Sequence, residues 1–593
     1  MSLNVLGLSF GHDGSASVVK NGKLIAHIAS ERITRVKKQR GVNKRVIKYV
    51  LDKAKMKLTD IDIVALINWF WDRGFEGEEL FDKEEEGFAV ITERGIEYSL
   101  EDYAEFYRNV SMAAQGVFTI QIGDQAKPCI HVDHHFAHCA YTYFMSPFDD
   151  ALCFSLDVND NMGNNHSAYY FDRENHHPIR KGNDFSVGAF YSQICDFLGF
   201  YPSLTDAGKV MALAAYKKHS SIANHFTWPE VIKMGDIYHG DQYSHLLGAH
   251  GQNMFTKRNL YPQLKGEGGK ADKKWLDKKD WNKPLSKQIA ADAQFILEQS
   301  VHNFIEELEK NFKLTNNLCV VGGTFLNCVM NGMLEKKFPK LNIWAAPACG
   351  DDGLSIGASL FISNKLDKNK KSEITEKSKK KINHTIQENI SGGKKYYEKE
   401  ILETIKDYDE IKYEKPDDLI PIISKELQDE KIVAWFQGES EIGPRALGRR
   451  SILADPRKQN MKDILNKKIK KREEFRPFAP LVLEDEADEW FDVKEGKSYP
   501  FMLFSLKCKA SDEIPAAVHI DGTARIQTVN KSNGAIYDLL YQFAEDTDIP
   551  VLINTSFNTQ GQPIVEDPED AIETFLDTEI DILVLEKYIV RKK

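Results

Sequence analysis

No C-x-x-C pair occurs anywhere in this 593-residue chain, and cysteine itself is scarce: Cys129, Cys139, Cys153, Cys195, Cys319, Cys328, Cys349 and Cys508. A zinc knuckle and a disulfide-stapled secreted framework are therefore excluded. Most of the eight stand in apolar contexts, where a free thiol behaves as a small buried hydrophobe, so a reducing compartment is expected. A membrane-spanning run is also missing. A span needs roughly 18 apolar residues, and the best stretch, Ile63 to Trp71, is short and interrupted by Asn68. The opening Met-Ser-Leu-Asn-Val-Leu-Gly-Leu-Ser-Phe has no basic n-region and meets Gly11-His12-Asp13-Gly14 too early for a signal h-region. A soluble cytoplasmic protein with no membrane partner is the expectation. Positive charge is lacking too: 78 Lys and Arg against 89 Asp and Glu leave a net −11, which argues against a nucleic-acid partner.

What is present is an ordinary globular composition, 42% hydrophobic and 28% charged, in a chain long enough for several domains. A strand, Asn4 to Phe10, ends in the polar turn Gly11-His12-Asp13-Gly14-Ser15. A strand from Ala16 to Lys20 follows, and Asn21-Gly22 signals a hairpin into Lys23 to Ser30. The pattern repeats at Ala151 to Leu156, polar Asp157 to Asn165, and Ser167 to Phe171, which predicts a duplicated α/β unit. A helix is predicted over Lys287 to Phe312, where Ile289, Ala293, Ile296, Leu297 and Val301 recur at helical spacing. The charged, aromatic-free run after Ser363 reads as a linker. It divides the chain into domains 1–375 and 376–593, with residues 219–285, rich in His, Trp and Lys, as an insertion in the first. Helices at Glu398 to Ile405 and Asp417 to Gln428 and a strand at Ile432 to Phe436 open the second.

The chemistry-bearing residues fall into two groups. In the first domain His134-His135-Phe136-Ala137-His138 follows the strand Cys129 to Val132. His134 and His138, at i and i+4, share a helix face as two imidazoles gripping one ion do; a pair of structural histidines is the alternative. A carboxylate should complete such a site, and Asp157, Asp351 and Asp352 are the candidates. Gly322-Gly323-Thr324 allows close backbone approach to a nucleotide, and Asn327 can bond its base or ribose. The turn at Gly11–Ser15 offers backbone N–H groups to a phosphate. In the second domain Arg445, Lys470, Arg472, Arg476 and Arg525, with Asn554-Thr555-Ser556-Phe557-Asn558, are set among Gly, Pro and aromatic residues. That setting suggests a small anion pocket.

Eight motifs in order make the chain resemble the NodU/CmcH O-carbamoyltransferases over nearly its whole length. They are Gly11-His12-Asp13-Gly14, His134-His135-x-x-His138, Gly208-Lys209-Val210-Met211, Gly323-x-x-x-Asn327-Cys328, Gly350-Asp351-Asp352-Gly353, Gly443-Pro444-Arg445-Ala446-Leu447-Gly448, Phe475-Arg476-Pro477 and Asn554-Thr555-Ser556-Phe557-Asn558. The resemblance implies a mixed α/β fold: an ASKHA, TsaD-like first domain and a YrdC-like second. It implies that carbamoyl phosphate and ATP form a carbamoyladenylate in the second domain, and that its carbamoyl group passes to a hydroxyl of a small metabolite or sugar in the first. By the same resemblance His134, His138, Asp157 and Asp351 are metal ligands, for iron first, with Mn2+, Zn2+ or Mg2+ as alternatives. Arg445, Lys470, Arg476, Arg525, Ser556 and Asn558 contact carbamoyl phosphate and nucleotide, with Gly208, Lys209, Gly323 and Asn327 on the cofactor side. His12 lies near the transferring group as orienter or base. The chain departs from the family where Asp-Gly-x-Gly reads Asp157-Val158-Asn159-Asp160-Asn161-Met162-Gly163, making Asp160 the alternative ligand to Asp157. A homodimer is the expected assembly. The competing readings are a threonylcarbamoyl-type tRNA-modifying enzyme and a non-catalytic ATP-switched ASKHA protein.

Overall fold

The structure is a computed structural model and describes residues 3–68, 90–93, 114–157, 164–172, 175–183, 185, 187–200, 203–226, 281–366 and 391–593. Asp160, most of the expected insertion and the expected boundary near residue 375 lie outside these residues.

Among the described residues, twelve strands of the first half form two sheets. The first contains β1 (Asn4–Ser9), β2 (Ser15–Lys20), β3 (Lys23–Ala29), β4 (Ile63–Ile67), β5 (Val90–Glu93), β6 (Ala114–Ile122) and β7 (Gln125–Val132) in the order β3-β2-β1-β4-β7-β6-β5. The second contains β8 (Ala151–Leu156), β9 (His166–Phe171), β10 (His176–Gly182), β11 (Asn317–Val321) and β12 (Asn342–Ala345) in the order β10-β9-β8-β11-β12. In each, two antiparallel hairpin strands lead to three parallel ones: β1, β4 and β7 in the first, β8, β11 and β12 in the second. The expected duplication is therefore real at the level of strand order and direction. Local residue choice explains the pieces. Asn21 and Gly22 both take positive φ, 53° and 72°, as a two-residue turn between right-twisted strands requires. The uninterrupted apolar run Ile63–Ile67 is buried along its whole length, as a central parallel strand must be.

Helices fill the space around these sheets: α1 (Ser30–Thr34), α2 (Lys44–Ala54), α3 (His134–Phe144), α4 (Val187–Phe197), α5 (Ser203–Ala214), α6 (Pro284–Asn311), α7 (Cys328–Lys337) and α8 (Leu354–Leu366). The α3 and α8 helices cross in close contact at Gly357, where a Cβ would stand 2.0 Å from the Ala137 carbonyl oxygen. All eight cysteines are free and buried. Among the described residues no helix is long and apolar enough to cross a membrane.

The second half carries an eight-stranded mixed sheet of order β13-β22-β21-β14-β15-β20-β16-β19. Its members are β13 (Ile411–Glu414), β14 (Val433–Phe436), β15 (Arg450–Ala454), β16 (Ala479–Leu483), β19 (Gln527–Val529), β20 (Val551–Ser556), β21 (Ile582–Leu585) and β22 (Tyr588–Lys592); β17 (Ser505–Lys507) pairs with β18 (Thr523–Arg525) beside it. The helix expected from Asp417 begins at Ile420 because Pro421 favours a first-turn position.

Candidate active site

The parallel strands deliver the site. His12 follows β1, Asn68 follows β4 and His134 follows β7, while Asp157 follows β8, Gly323 follows β11 and Asp351 follows β12. Two sheets of like topology thus bring the carboxyl ends of their parallel strands to one place, the usual location of sites in such sheets. Asp133 caps α3 by accepting from the Phe136 N–H at 2.9 Å, so the helix starts at His134.

His134, His138, Asp157 and Asp351 offer ligand atoms all within 4.8 Å of one another. His138 Nε2 is 3.4 Å from Asp157 Oδ2 and 3.3 Å from Asp351 Oδ1, and His134 Nε2 is 3.8 Å from Asp351 Oδ1. Neither ring nitrogen of His138 has a hydrogen-bond partner among the described residues, nor has Asp351 Oδ1. Ligand atoms that converge at 3.3–3.8 Å from α3 and the ends of β8 and β12 are arranged around a common point. Supporting groups set their direction: Asn68 Oδ1 lies 2.8 Å from His134 Nδ1, and the Gly323 N–H donates to Asp157 Oδ2 at 3.0 Å. His135 is different. Its nitrogens meet Ser155 Oγ and the Asn164 carbonyl, so it is the structural histidine of the motif.

The electrostatics ask for a cation. Burial alone would lower the His138 pKa, yet the Asp157 and Asp351 carboxylates push it up to about 9. Burial would raise Asp351, but His12, His134 and His138 hold it well below the usual carboxylate range. Asp157, despite burial, is pulled down to about 2, chiefly by His138. These residues therefore fit a divalent metal both in donor type and in charge.

His12 stands at the edge of this cluster, its Nδ1 2.9 Å from Asp13 Oδ2 and its Nε2 3.4 Å from Asp351 Oδ2. Asp351 raises its pKa to about 9. Lys38, which bonds Asp13 at 2.7 Å, completes a line of alternating charge that sequence spacing did not reveal. The expected backbone phosphate turn is partly spent, since the Gly14 N–H donates to the Gln39 carbonyl.

In the second half the cations gather. Arg445 sits in the loop between β14 and β15, Lys470 and Arg472 follow Leu465–Ile469, Arg476 precedes β16, and Arg525 ends β18. Burial and then Arg525 destabilise the Arg445 cation. Burial followed by Arg476 and Arg525 does the same for Arg472, and burial with Arg472 and Arg476 depresses Lys470 well below the ordinary lysine range. Lys470 Nζ donates to Ser556 and Asn558 oxygens, so the predicted Lys470, Ser556 and Asn558 meet directly. Arg445 Nε has no partner among the described residues.

The remaining expected residues have other employment. Lys209 pairs with Asp206 at 2.8 Å and with Glu473 at 2.7 Å, bridging the two halves, and Gly208 beside it faces open space. The Asn327 side chain caps α7 through the Met330 N–H and exchanges hydrogen bonds with Gln294, so it is committed within the protein.

Residues 4–360 match the family described as Carbamoyltransferase N-terminus, and residues 424–592 match Carbamoyltransferase C-terminus. Nodulation protein NolNO of Sinorhizobium fredii is 29% identical over 594 residues, spanning 99% of this chain and 80% of that protein. Nodulation protein NolO of Bradyrhizobium diazoefficiens is 31% identical over 471 residues, 78% of this chain and 79% of that protein. A protein of Methanocaldococcus jannaschii, MJ1051, is 29% identical over 99% of both chains. The non-catalytic alternative falls with these matches: the chain belongs to the carbamoyltransferase family and is a carbamoyltransferase enzyme.

Proposed function

We propose that the enzyme is an ATP-dependent O-carbamoyltransferase working in two steps, activation in the second domain and transfer in the first, with the boundary between them near residue 375. The observation that carries this reading is Arg445. It belongs to the buried cation cluster of the second half, with Arg525 and Arg476, and it also feels Asp352 beside the His/Asp cluster of the first. That link between a cation cluster suited to anions and a His/Asp cluster suited to a metal supports a scheme in which two steps are run side by side.

In the first step Arg445, Lys470, Arg476 and Arg525 hold the phosphate of carbamoyl phosphate and the triphosphate of ATP; Arg forks suit such oxyanions. Carbamoyl phosphate and water yield phosphate and carbamate. A carbamate oxygen then attacks the α-phosphorus of ATP, forming the P–O bond of the carbamoyladenylate and releasing pyrophosphate. In the second step an alcohol oxygen of a small metabolite or sugar attacks the carbamoyl carbon, the bond to AMP breaks, and the alcohol proton leaves. A divalent metal held by His134, His138, Asp157 and Asp351, iron in the first instance, supplies charge neutralisation at the phosphate leaving group when bound. His12 is placed to take the alcohol proton on Nε2 while Asp13 accepts from its Nδ1 and fixes the ring. Its raised pKa comes mainly from Asp351, so a cation held by that carboxylate would lower it toward the range a base needs.

The test is carbamoyl-phosphate-dependent pyrophosphate release from ATP by wild type, Arg445→Ala and His138→Ala. Release that vanishes in Arg445→Ala and persists in His138→Ala supports the division of labour. Absence of release by metal-loaded wild type overturns it.

A further inference from the structure

Arg445 is carried by a loop, and a loop alone does not fix a long side chain among like charges. The loop from Glu441 to Arg450 is closed by one carboxylate: Glu441 Oε1 accepts from the Leu447 N–H at 2.8 Å and from the Arg450 N–H at 3.2 Å, on the far side of Arg445. Its entry strand is held from the other half of the molecule. Arg32, on α1 and 3% exposed, donates through Nη2 to the carbonyls of Gly443 at 3.1 Å and Glu441 at 3.4 Å. Its Nη1 stands 3.8 Å from Glu441 Oε2 and 3.9 Å from Glu566 Oε2. Glu566 in turn accepts from Tyr49 of α2 and from Ser440 at 2.9 Å. Gly443 (φ 97°) packs so closely that a Cβ would lie 2.5 Å from the Pro347 carbonyl, in the segment leading to Asp351.

We propose that Arg32 is a positioning residue for Arg445: gripping the Glu441 and Gly443 carbonyls from the first half, it aims Arg445 at the anion site of the second. A buried guanidinium on main-chain carbonyls suits this task. Five donors in a rigid fork hold two carbonyls and face two carboxylates at once, which the point charge of lysine cannot reproduce. The consequence is that the activating site is completed across the two halves. The assignment rests on the anion-site reading above, while the Glu441 and Gly443 contacts stand independently of it.

The experiment measures inorganic phosphate binding by calorimetry on the full-length chain as wild type, Arg32→Met, Arg32→Lys, Arg445→Ala and Arg32→Met/Arg445→Ala, with thermal unfolding of each. A displacement of about 1 Å in a positioned group can cost on the order of 100-fold. The expected result is phosphate binding at least 10-fold weaker in Arg32→Met and in Arg445→Ala, no further weakening in the double variant, and incomplete rescue by Arg32→Lys. Additive losses, or unchanged binding in a folded Arg32→Met, overturn the inference, as does a wild type that binds no phosphate. A variant that fails to fold is replaced by Glu441→Gln, which keeps the side chain's shape and removes the charge facing Arg32, and the same comparison with Arg445→Ala then decides. Pyrophosphate release is run alongside. Phosphate binding with the expected non-additivity but no release would sink the proposed reaction and leave the positioning role of Arg32 standing.

Discussion

Asn68 and His134 are 66 positions apart in sequence, yet Asn68 Oδ1 lies 2.8 Å from His134 Nδ1. With the amide oxygen toward the ring, Nδ1 is the side of His134 that donates, and Nε2 is left facing Asp351, 3.8 Å away. Such supporting bonds typically change metal affinity 10–100-fold when removed. Asn68 has φ 60°, a conformation glycine adopts without strain, so Asn68→Gly removes the amide while sparing the backbone. Competition titration against a chelator should show metal binding weakened by about that factor; equal affinity would remove Asn68 from the site.

The same pair shows what a sequence carries and what it hides. His134 and His138 were readable together because helical spacing alone puts them on one face. Asp157 and Asp351 were readable as candidates, but the choice between Asp351 and Asp352 depends on the turn Asp351–Gly353, which sends Asp351 to His138 and leaves Asp352 beyond it. Asn68 read only as an interruption of an apolar run. It reaches His134 because β4 lies parallel to β7, a pairing no local pattern encodes. Arg32 stands in no motif of the sequence, and its role depends on contact between halves more than 400 positions apart. The strand-and-turn opening and its repeat were legible for the opposite reason, since Asn-Gly and alternating polarity act locally.

Gly357 tests how firmly the metal helix is held. Its α carbon faces the Ala137 carbonyl, and a methyl group there would sit 2.0 Å from that oxygen. Neither helix backbone can yield cheaply, so Gly357→Ala should destabilise by about 1–3 kcal/mol, as overpacking does. Because Ala137 precedes His138, the same substitution should weaken metal binding more than Asn68→Gly does. Thermal unfolding and the chelator titration read the two effects separately; unchanged values in both would contradict the close crossing.

Glu298 of α6 makes stability depend on pH. Burial is the main cause that pushes its carboxyl up to about 7, with Asp521 adding to it, although Gln294 donates to it at 2.7 Å. Between the unfolded value, about 4.5, and about 7, the folded chain holds a proton that the unfolded chain has released. The unfolded state therefore binds fewer protons, and stability falls as pH rises through that window. Glu298→Gln removes the titration. Its melting temperature should match wild type's pH trend below about 4.5 and exceed it by a growing margin up to about 7. A constant difference at all pH values would rule Glu298 out as the source.

Lys470 gives the anion site a pH dependence of opposite sign to its effect on folding. Among the described residues its ammonium donates only to hydroxyl, amide and carbonyl oxygens of Ser556 and Asn558. Burial, then Arg472 and Arg476, push it well below the ordinary lysine range. A base whose folded pKa is depressed binds its proton better in the unfolded chain, so for the free protein stability gained from this group rises with pH up to the ordinary lysine value. Anion binding runs the other way. The guanidinium groups are far more basic than an ammonium to begin with and keep their charge further up the pH scale, whereas Lys470 loses its charge first as pH rises, and the site then attracts an anion less. Sulfate is the suitable probe because its own charge is constant over this range. The rise in melting temperature that sulfate produces should therefore shrink with increasing pH in wild type. In Lys470→Met it should be small and flat, converging on the wild-type value at the alkaline end. A sulfate effect in wild type that is independent of pH would mean that the Lys470 ammonium does not face the anion, and the pocket would then rest on its arginines alone.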